Sequence, residues 1–211
     1  MLKTQGIYGF YPIVDDLRWI ERLLLLGVRT IQLRLKGCEP PERQRQIKAA
    51  ITLGHQYNAQ MIINDYWQDA IDFGATWLHL GQEDLAQADF PAIRNANLQL
   101  GISTHSPEEL DVALAAQPDY LALGPVYETT LKKMRWLPQG LERIGLWKQK
   151  IPCPLVAIGG ITLERAPDVL RAGADSIAVV SDILQSPSPD DRAQHWLRLF
   201  RDRPITAESA R

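Results

Sequence analysis

The chain has 211 residues, of which 45% are hydrophobic and 23% are charged, which is the composition of an ordinary soluble globular domain. Collagen-like, coiled-coil, disordered and membrane-spanning proteins are thereby excluded as classes. Lys and Arg together number 23 and Asp and Glu 25, and the net charge of −2 argues against nucleic acid and against a membrane surface as partners, while leaving room for a local basic pocket.

Short apolar runs recur along the whole chain, and each is followed by a longer segment with helical spacing or many charges. Most of the runs are continuous rather than alternating in hydrophobicity, as in parallel strands that are buried on both faces. The eight predicted strands are Tyr8–Val14, Thr30–Leu35, Met61–Asn64, Trp77–Leu80, Leu98–Ser103, Tyr120–Leu123, Leu155–Ile158 and Ser176–Val180.

Helix signals lie between these runs. Apolar residues at helical spacing predict a helix over Leu17–Leu26, ended by Gly27. Ser106 is predicted to cap a later helix, with Pro107 at its first position and Glu109 completing a capping box.

The last part of the chain is predicted to hold one helix between two irregular segments. Ser186–Asp191 has the composition of a loop, and His195–Phe200 completes a last helix. The polar residues 202–211 are predicted to form a flexible tail without a function.

A weak internal repeat supports the count of strands. Gly27, Gly74 and Gly173 each stand between a helix end and a strand start, separated by about two and about four units of roughly 24 residues. No GxGxxG motif follows the first predicted strand, which argues against an open dinucleotide-binding sheet. We therefore predict the α/β class and a single-domain (β/α)8 TIM barrel with a catalytic domain over residues 1–201, ahead of an open doubly wound sheet.

Two features of the sequence bear on where the protein works. Cys38 and Cys153 lie far apart and form no CxxC pair, so the sequence predicts neither a disulfide framework nor a zinc site. The residues that follow Met1 lack the apolar core of a signal peptide. We therefore expect a cytoplasmic protein in a reducing compartment.

The active site of a TIM barrel lies at the carboxyl ends of its strands, so the polar residues after each apolar run are the candidates. Gln32, Arg34 and Lys36 are spaced by two at the end of the second predicted strand and just after it, which places their side chains on one side of an extended segment. Two of the three are cations, which suits an anionic ligand. The alternative is a solvated strand end with basic residues facing water.

Two acidic residues follow neighbouring strands. Asp65 comes after Asn64 at the end of the third strand, and Asp84 follows the fourth strand. Their oxygens can hold one Mg²⁺ together with water and substrate phosphate oxygens, and the nearby cations would complete a diphosphate site. Helix capping is the alternative for each Asp taken singly.

The last two strands end in residues that are compatible with a second anion site. Gly159 and Gly160 follow strand seven, and Val180 and Ser181 follow strand eight, where barrels bind phosphate with backbone amides and a helix N-terminus. A tight structural turn is the alternative for the glycines. Together the strand ends predict two anionic subsites, one with a metal ion and one without.

The candidate residues in the middle of the chain each allow more than one interpretation. Ser103 follows strand five in a turn of hydroxyl residues that can bond a ring or cap a helix. The loop Leu123–Lys132 carries two hydroxyls and a cation and can close over a ligand, while a mobile surface loop is the alternative. His79 and His105 have no diagnostic spacing with a nucleophile and stay unassigned.

Seven short motifs occur in the same order as in a known enzyme family. They are Gln32–Lys36, Ile63–Asp65, His79–Asp84, Gly101–Ser103, Gly124–Pro125, Ile158–Ile161 and Val179–Ser181. With these motifs the chain resembles the thiamine phosphate synthases over nearly its entire length. The resemblance implies a transferase that joins 4-amino-2-methyl-5-pyrimidinylmethyl diphosphate to a thiazole phosphate, free or carboxylated, and releases diphosphate and thiamine phosphate.

The resemblance also implies roles for single residues. The implied Mg²⁺ ligands are Asp65 and Asp84. The residues implied to bind the pyrimidine diphosphate are Gln32, Arg34, Lys36, Asn64, Ser103 and Lys132, with Gln32 and Ser103 placing the ring. The residues implied to bind the thiazole phosphate are Thr129, Thr130, Gly160, Val180 and Ser181. The residues implied to be catalytic are Arg34, Lys36, Ser103 and Lys132.

In the mechanism that the family implies, diphosphate leaves first, its charge neutralised by Mg²⁺ and the cations, and the thiazole nitrogen then attacks the carbocation. We hypothesise that this needs no protein nucleophile. Leu131 departs from the family, which has a hydroxyl residue there. The alternatives are a thiazole tautomerase, which would not need the diphosphate site, and a noncatalytic regulatory relative. The expected partners are small-molecule substrates, and a homo-oligomer is compatible with the sequence.

Overall fold

The computed structural model of the chain describes residue 7, residues 9–129 and residues 136–201, so that the predicted tail of residues 202–211 lies outside it. In the described residues eight parallel strands form a closed barrel in chain order, in which the last strand pairs with the first. The prediction of a single-domain (β/α)8 barrel is confirmed. The strands are β1 Gly9–Val14, β2 Thr30–Leu33, β3 Gln60–Asn64, β4 Trp77–Leu80, β5 Gln99–Thr104, β6 Tyr120–Leu123, β7 Leu155–Ile158 and β8 Ser176–Val179.

Helices connect the strands and surround the barrel. No helix in the described part of the chain is long and apolar enough to cross a membrane. Cys38 and Cys153 are both free thiols, as expected. The described helices are α1 Leu17–Leu25, α2 Pro40–Gln56, α3 Trp67–Asp72, α4 Gln82–Leu85, α5 Phe90–Asn95, α6 Pro107–Ala115, α7 Gly140–Lys150, α8 Ala166–Arg171, α9 Ser181–Leu184 and α10 Pro189–Arg201.

Two apolar layers stabilise the barrel. The larger lies between the strands and the helices and includes Ile31, Leu78 and Leu121. Because side chains alternate along a strand, the neighbours of these residues point into the barrel, where they form a smaller layer. The smaller layer consists of Ile7, Tyr11, Ile13, Ile62, Trp77, Tyr120, Ala122, Val156 and Ala178. Both faces of each strand are therefore buried, which explains the continuous apolar runs in the sequence.

The boundaries of some strands differ from the prediction by one or two residues. β2 ends at Leu33 rather than at Leu35, because its pairing with β1 stops at Val14, the last residue of that strand. The Arg34 amide still donates to the Val14 carbonyl at 2.8 Å, which holds the first residue after β2 beside the barrel. Tyr8, the predicted first residue of β1, lies outside the described residues.

The predicted N-terminal cap of α6 by Ser106 is confirmed, but the predicted capping box with Glu109 is wrong. The Ser106 hydroxyl accepts from the Glu109 amide at 3.3 Å, and Pro107 begins the helix. The Glu109 carboxylate does not return to the Ser106 amide. It accepts from the amide and from Nδ1 of His105 at 2.8 and 2.7 Å, because His105 presents two donors to the same carboxylate oxygen.

The last helix is longer than predicted. α10 spans Pro189–Arg201, so the loop prediction for Ser186–Asp191 is wrong in its second half. Its first residue is a proline, which fits a position where no amide hydrogen is needed. The buried Trp196 ring of α10 stacks on Phe10 of β1 with the ring centroids 5.5 Å apart. This contact fixes the last helix to the first strand.

Candidate active site

The fold brings the candidate residues of strands β2 to β5 to one end of the barrel. Gln32 and Asn64 are buried, and Asn64 stands beside His79 in the register of β3 and β4. Ser103 lies on β5, one position before its last residue. Because all eight strands are parallel, these side chains share the carboxyl end of the sheet, where TIM barrels carry out their chemistry.

Asp65 and Asp84 face each other at this end. Asp65 follows β3 directly and has a left-handed backbone with φ of 67°, a conformation that Asp adopts more readily than most residues. Asp84 lies in α4, and its carboxylate accepts from the Gly81 amide at 3.2 Å. Burial raises the pKa of Asp84, and the charge of the Asp65 carboxylate raises it further. Asp84 thus caps its turn and also forms an acidic pair with Asp65.

Lys36 borders the acidic pair, and Arg34 and Asn64 lie at the same end of the barrel. Lys36 Nζ lies 2.5 Å from Asp65 Oδ2, and the lysine side chain is 56% exposed. Among residues 7, 9–129 and 136–201, neither the Arg34 guanidinium nor the Asn64 side-chain amide has a hydrogen-bond or ion-pair partner. Positive charge and free donors therefore share this end of the barrel with the carboxylates, as an anionic ligand requires.

A chain of hydrogen bonds crosses the barrel interior beneath this end, and we call it the interior chain. Gln32 Nε2 donates to the Tyr11 hydroxyl at 2.7 Å, and the hydroxyls of Tyr11 and Tyr120 are 2.8 Å apart. His79 joins Tyr120 through Nδ1 and Ser103 Oγ through Nε2, at 2.8 Å each. Burial lowers the pKa of His79 to about 4 and raises the pKa of both tyrosines, so all three rings are neutral at pH 7.

Three members of the interior chain were missed by sequence reasoning, which left His79 unassigned and did not single out Tyr11 or Tyr120. One signal was available in Gly101, since a glycine inside a strand marks the close approach of another group. A Cβ atom on Gly101 would lie 2.0 Å from the Tyr120 ring. The missing side chain therefore makes room for the ring that joins the two halves of the interior chain.

A separate cleft of about 490 Å³ opens beyond the ends of β7 and β8. Thr129, Gly160 and Ser181, three of the residues implied for the thiazole phosphate, line it together. Val180 does not line the cleft and precedes α9 as its N-terminal cap residue. The predicted residues Thr130 and Lys132, and the family departure Leu131, lie outside the described residues.

The two glycines after β7, Gly159 and Gly160, allow the loop after β6 to pack closely against them. Gly160 has φ of 63°, and a Cβ atom there would lie 2.2 Å from the Glu128 carbonyl oxygen. The Tyr127 amide donates to the Gly159 carbonyl at 3.0 Å. The structural-turn explanation of these glycines is therefore supported, and it also explains how the loop after β6 forms one wall of the cleft.

The cleft contains one arginine that has a carboxylate partner and one that does not. Arg192 bonds Glu164 at 2.8 Å and Asp182 at 2.7 Å, so its charge is compensated. The Arg165 guanidinium bonds the Gly160 carbonyl at 2.6 Å and stacks on Tyr127 at 4.5 Å. In the part of the chain that the structure describes, it has no acidic partner, which leaves its positive charge available to an anion.

Comparisons with known proteins agree with this geometry. A family model described as thiamine monophosphate synthase matches residues 10–183. A thiamine-phosphate synthase of Rhizobium etli is 56% identical over 189 residues, covering 89% of this chain and 93% of that one. Another of Klebsiella pneumoniae is 55% identical over 179 residues, covering 84% of this chain and 85% of its own.

A solved structure agrees as well. The thiamine phosphate pyrophosphorylase of Pyrococcus furiosus superposes with a TM-score of 0.82 at 28% identity, covering 92% of this chain and 96% of its own. The barrel, the acidic pair beside Lys36 and the second cleft all occur in a chain that the family model matches over most of its length. The chain belongs to the thiamine monophosphate synthase family.

Proposed function

We propose that the chain synthesises thiamine phosphate by joining 4-amino-2-methyl-5-pyrimidinylmethyl diphosphate to thiazole phosphate, free or carboxylated, with release of diphosphate. The observation that carries the proposal is the position of the acidic pair, Asp65 and Asp84, beside Lys36 at the active end of the barrel, where Arg34 follows the end of β2. Carboxylates hold a metal ion and cations bind phosphate oxygens, so the group suits a metal-bound diphosphate. The thiamine-phosphate synthases at 51–56% identity support the same reaction.

Asp65 and Asp84 are the proposed ligands of Mg²⁺. The raised pKa of Asp84 supports this, because a cation between two carboxylates relieves their repulsion. No cluster of three or more His, Cys, Asp or Glu residues in the described chain could hold a metal ion by itself. A two-carboxylate site leaves positions for water and diphosphate oxygens, which is the arrangement that Mg²⁺ commonly takes. Bound there, Mg²⁺ would neutralise the charge of the leaving diphosphate.

The pyrimidine diphosphate is proposed to lie against Arg34, Lys36 and Asn64. Arg34 and Asn64 have no partner among the described residues that would compete for the ligand. Lys36 pairs with Asp65, but its side chain is exposed to solvent. It can therefore exchange Asp65 for a diphosphate oxygen once the metal ion occupies the acidic pair. Lys132 is proposed to bind the same group.

Two members of the interior chain, Gln32 and Ser103, are proposed to place the pyrimidine ring. They lie on β2 and β5 and are connected through the barrel interior, which supports a shared task. The proposed catalytic residues are Arg34, Lys36, Ser103 and Lys132. The proposed catalytic domain spans residues 1–201.

The thiazole phosphate is proposed to occupy the cleft beside β7 and β8. Its proposed partners are Thr129, Thr130, Gly160, Val180 and Ser181. The first amides of α9 have no partner within that helix and favour a negative charge. The uncompensated Arg165 adds positive charge to the same cleft.

The proposed chemistry is dissociative and uses no protein nucleophile. Ser103 and His79 lie 2.8 Å apart, the spacing of a serine and its base. The other imidazole nitrogen, however, contacts the Tyr120 hydroxyl, whereas a catalytic triad has a carboxylate there. The protein residues therefore bind diphosphate, orient the ring and hold the thiazole nitrogen close to the carbon that it attacks.

Two other functions would use parts of the same site. A thiazole tautomerase would use the second cleft alone, and the acidic pair beside Lys36 argues against it. A noncatalytic regulatory relative would keep both subsites and lack turnover, since a fold can retain its sites after losing its chemistry.

Product formation tests the proposal directly. Purified protein is mixed with both substrates and Mg²⁺, and thiamine phosphate and diphosphate are followed together. Equal amounts of both products, lost in EDTA and in the Asp65→Ala variant, are expected. Binding of both substrates without product would favour the regulatory function, and normal Mg²⁺-dependent turnover by Asp65→Ala would show that the metal assignment is wrong.

A further inference from the structure

The interior chain connects the two residues that are proposed to place the pyrimidine ring, and its middle members are enclosed. Tyr11 is 1% exposed and Tyr120 is fully buried. Tyr11 and Tyr120 therefore act on a ligand only through the ends of the chain, Gln32 and Ser103. The positions of the hydroxyl and imidazole hydrogens decide whether each end donates or accepts a hydrogen bond.

Gln32 is the donor at the first end of the interior chain. Its Nε2 donates to the Tyr11 oxygen, so the hydrogen of Tyr11 needs a different acceptor. In residues 7, 9–129 and 136–201 the only other partner of this hydroxyl is the Tyr120 oxygen. Tyr11 therefore donates to Tyr120, because a buried hydroxyl hydrogen without an acceptor is costly.

The direction then continues to Ser103. The Tyr120 hydrogen must go to His79 Nδ1, so this nitrogen accepts and the imidazole hydrogen lies on Nε2. His79 Nε2 donates to Ser103 Oγ. A protonated His79, or the other tautomer, would donate to Tyr120 and leave one of the two tyrosine hydrogens without an acceptor.

One end of the interior chain presents a hydrogen-bond donor and the other presents an acceptor. Ser103 Oγ already accepts from His79, so its own hydrogen is available to a ligand. Gln32 gives one of its two Nε2 hydrogens to Tyr11, which fixes the orientation of its amide, and its Oε1 has no partner in the described residues and is not enclosed, so Gln32 presents an acceptor. Reversal would require the Gln32 amide to turn over and all four bonds between these residues to invert together.

We propose that Tyr11, Tyr120 and His79 are positioning residues that fix Ser103 as a donor and Gln32 as an acceptor, and thereby select an aminopyrimidine against its 4-oxo analogue. This rests on the proposed function, which places the ring between the two ends. An aminopyrimidine offers an amine donor and a ring-nitrogen acceptor, the complement of the two ends. A 4-oxo pyrimidine offers a carbonyl acceptor and a ring N–H donor, which meet groups of the same kind.

The first test is the tautomer of His79 in the substrate-free protein. ¹⁵N-edited NMR distinguishes a protonated Nε2 from a protonated Nδ1, and the loss of one signal set in His79→Gln assigns the residue. At pH 7 we expect a single neutral form protonated at Nε2. A form protonated at Nδ1, or at both nitrogens, would overturn the proposed direction. This measurement requires neither substrate nor turnover.

The second test measures selectivity in binding. The probes are the monophosphates of 4-amino-2-methyl-5-hydroxymethylpyrimidine and of its 4-oxo analogue, titrated calorimetrically with Mg²⁺ and without thiazole. In the parent protein the amino probe is expected to bind at least about tenfold more tightly, since two hydrogen bonds are matched rather than opposed. Tyr120→Phe disconnects the two ends, so the ratio of the two dissociation constants is expected to fall by about fivefold.

Thr104→Val is the matched control. Its hydroxyl is also buried, next to Ser103, but it bonds the Ala122 carbonyl at 3.1 Å and Trp147 Nε1 at 3.0 Å outside the interior chain. Its removal is expected to lower stability and to leave the ratio unchanged. An unchanged ratio in folded Tyr120→Phe would overturn the proposal while product formation still supports the function. If neither probe binds, the ring site itself is wrong, and the proposal fails with it.

Discussion

Replacing Gly101 by alanine tests how tightly the barrel interior is packed. The added Cβ atom would lie 2.0 Å from Cζ and 2.4 Å from the hydroxyl oxygen of Tyr120. Carbon atoms in contact are ~3.5–4.0 Å apart, so the Tyr120 ring must move by about 1.5 Å. The ring has little space, because Tyr11, Trp77 and His79 pack around it with centroids 6.1, 6.0 and 5.6 Å away.

The expected cost follows from two contributions. Overpacking of a closed core costs roughly 1–3 kcal/mol. A shift of this size also breaks the hydrogen bonds of Tyr120 to Tyr11 and His79, at about 1 kcal/mol each. The free energy of unfolding of Gly101→Ala should therefore fall by about 3 to 5 kcal/mol.

Urea denaturation of the parent and the variant measures this difference. Gly145→Ala is the matched control, because its Cβ atom would meet only the Ala172 carbonyl oxygen at an ordinary 3.7 Å. Since Gly145 lies inside α7, that change should raise stability by up to about 1 kcal/mol. A Gly101→Ala protein within about 1 kcal/mol of the parent would refute the packing argument.

Three further predictions concern single charges. Asp84→Asn should raise the Mg²⁺ concentration for half-maximal product formation by about tenfold or more, because one carboxylate ligand is lost; an unchanged metal titration would contradict this. Lys36→Met should weaken calorimetric binding of the pyrimidine diphosphate by about tenfold without changing the urea midpoint, since its exposed ion pair with Asp65 contributes little to stability. Hydrogen bonds from Arg192 hold the pKa of Glu164 at about 2, below the ordinary 4.5, so this stabilisation is present above pH 4.5 and is lost as the pH falls through about 2. The difference in unfolding free energy between the parent and Glu164→Gln should therefore shrink over that range, and a constant difference would refute the pairing.

The strands were predictable because of where they are buried. Strands covered on both faces appear as continuous apolar runs, and glycines such as Gly27 and Gly173 separate them from the preceding helices. The ends were less predictable, since β2 stops where its neighbour β1 stops, at Val14, and this depends on pairing between strands. The start of α10 was missed because the polar residues before Trp196 have loop composition, while packing of that ring on Phe10 favours the helix.

The candidate site was predictable to the extent that it lies at strand ends. Asp65 directly follows β3 and Asp84 lies in the short helix after β4, and parallel strands bring such residues together. The interior chain was not predictable in this way. A run that is apolar on both faces does not indicate which side chains point inward, and the bond between Tyr11 and Tyr120 joins residues 109 positions apart. Only the closed barrel brings these two hydroxyls together.

The closure of the barrel also constrains how the chain can fold during synthesis. β1 pairs with β8, and a Cβ atom on Gly9 would lie 3.8 Å from the Phe200 ring of α10. One edge of β1 therefore has no native partner until the ribosome has released nearly the whole domain. The nascent sheet carries an open edge throughout that time, when it is exposed to pairing with other chains and to binding by chaperones.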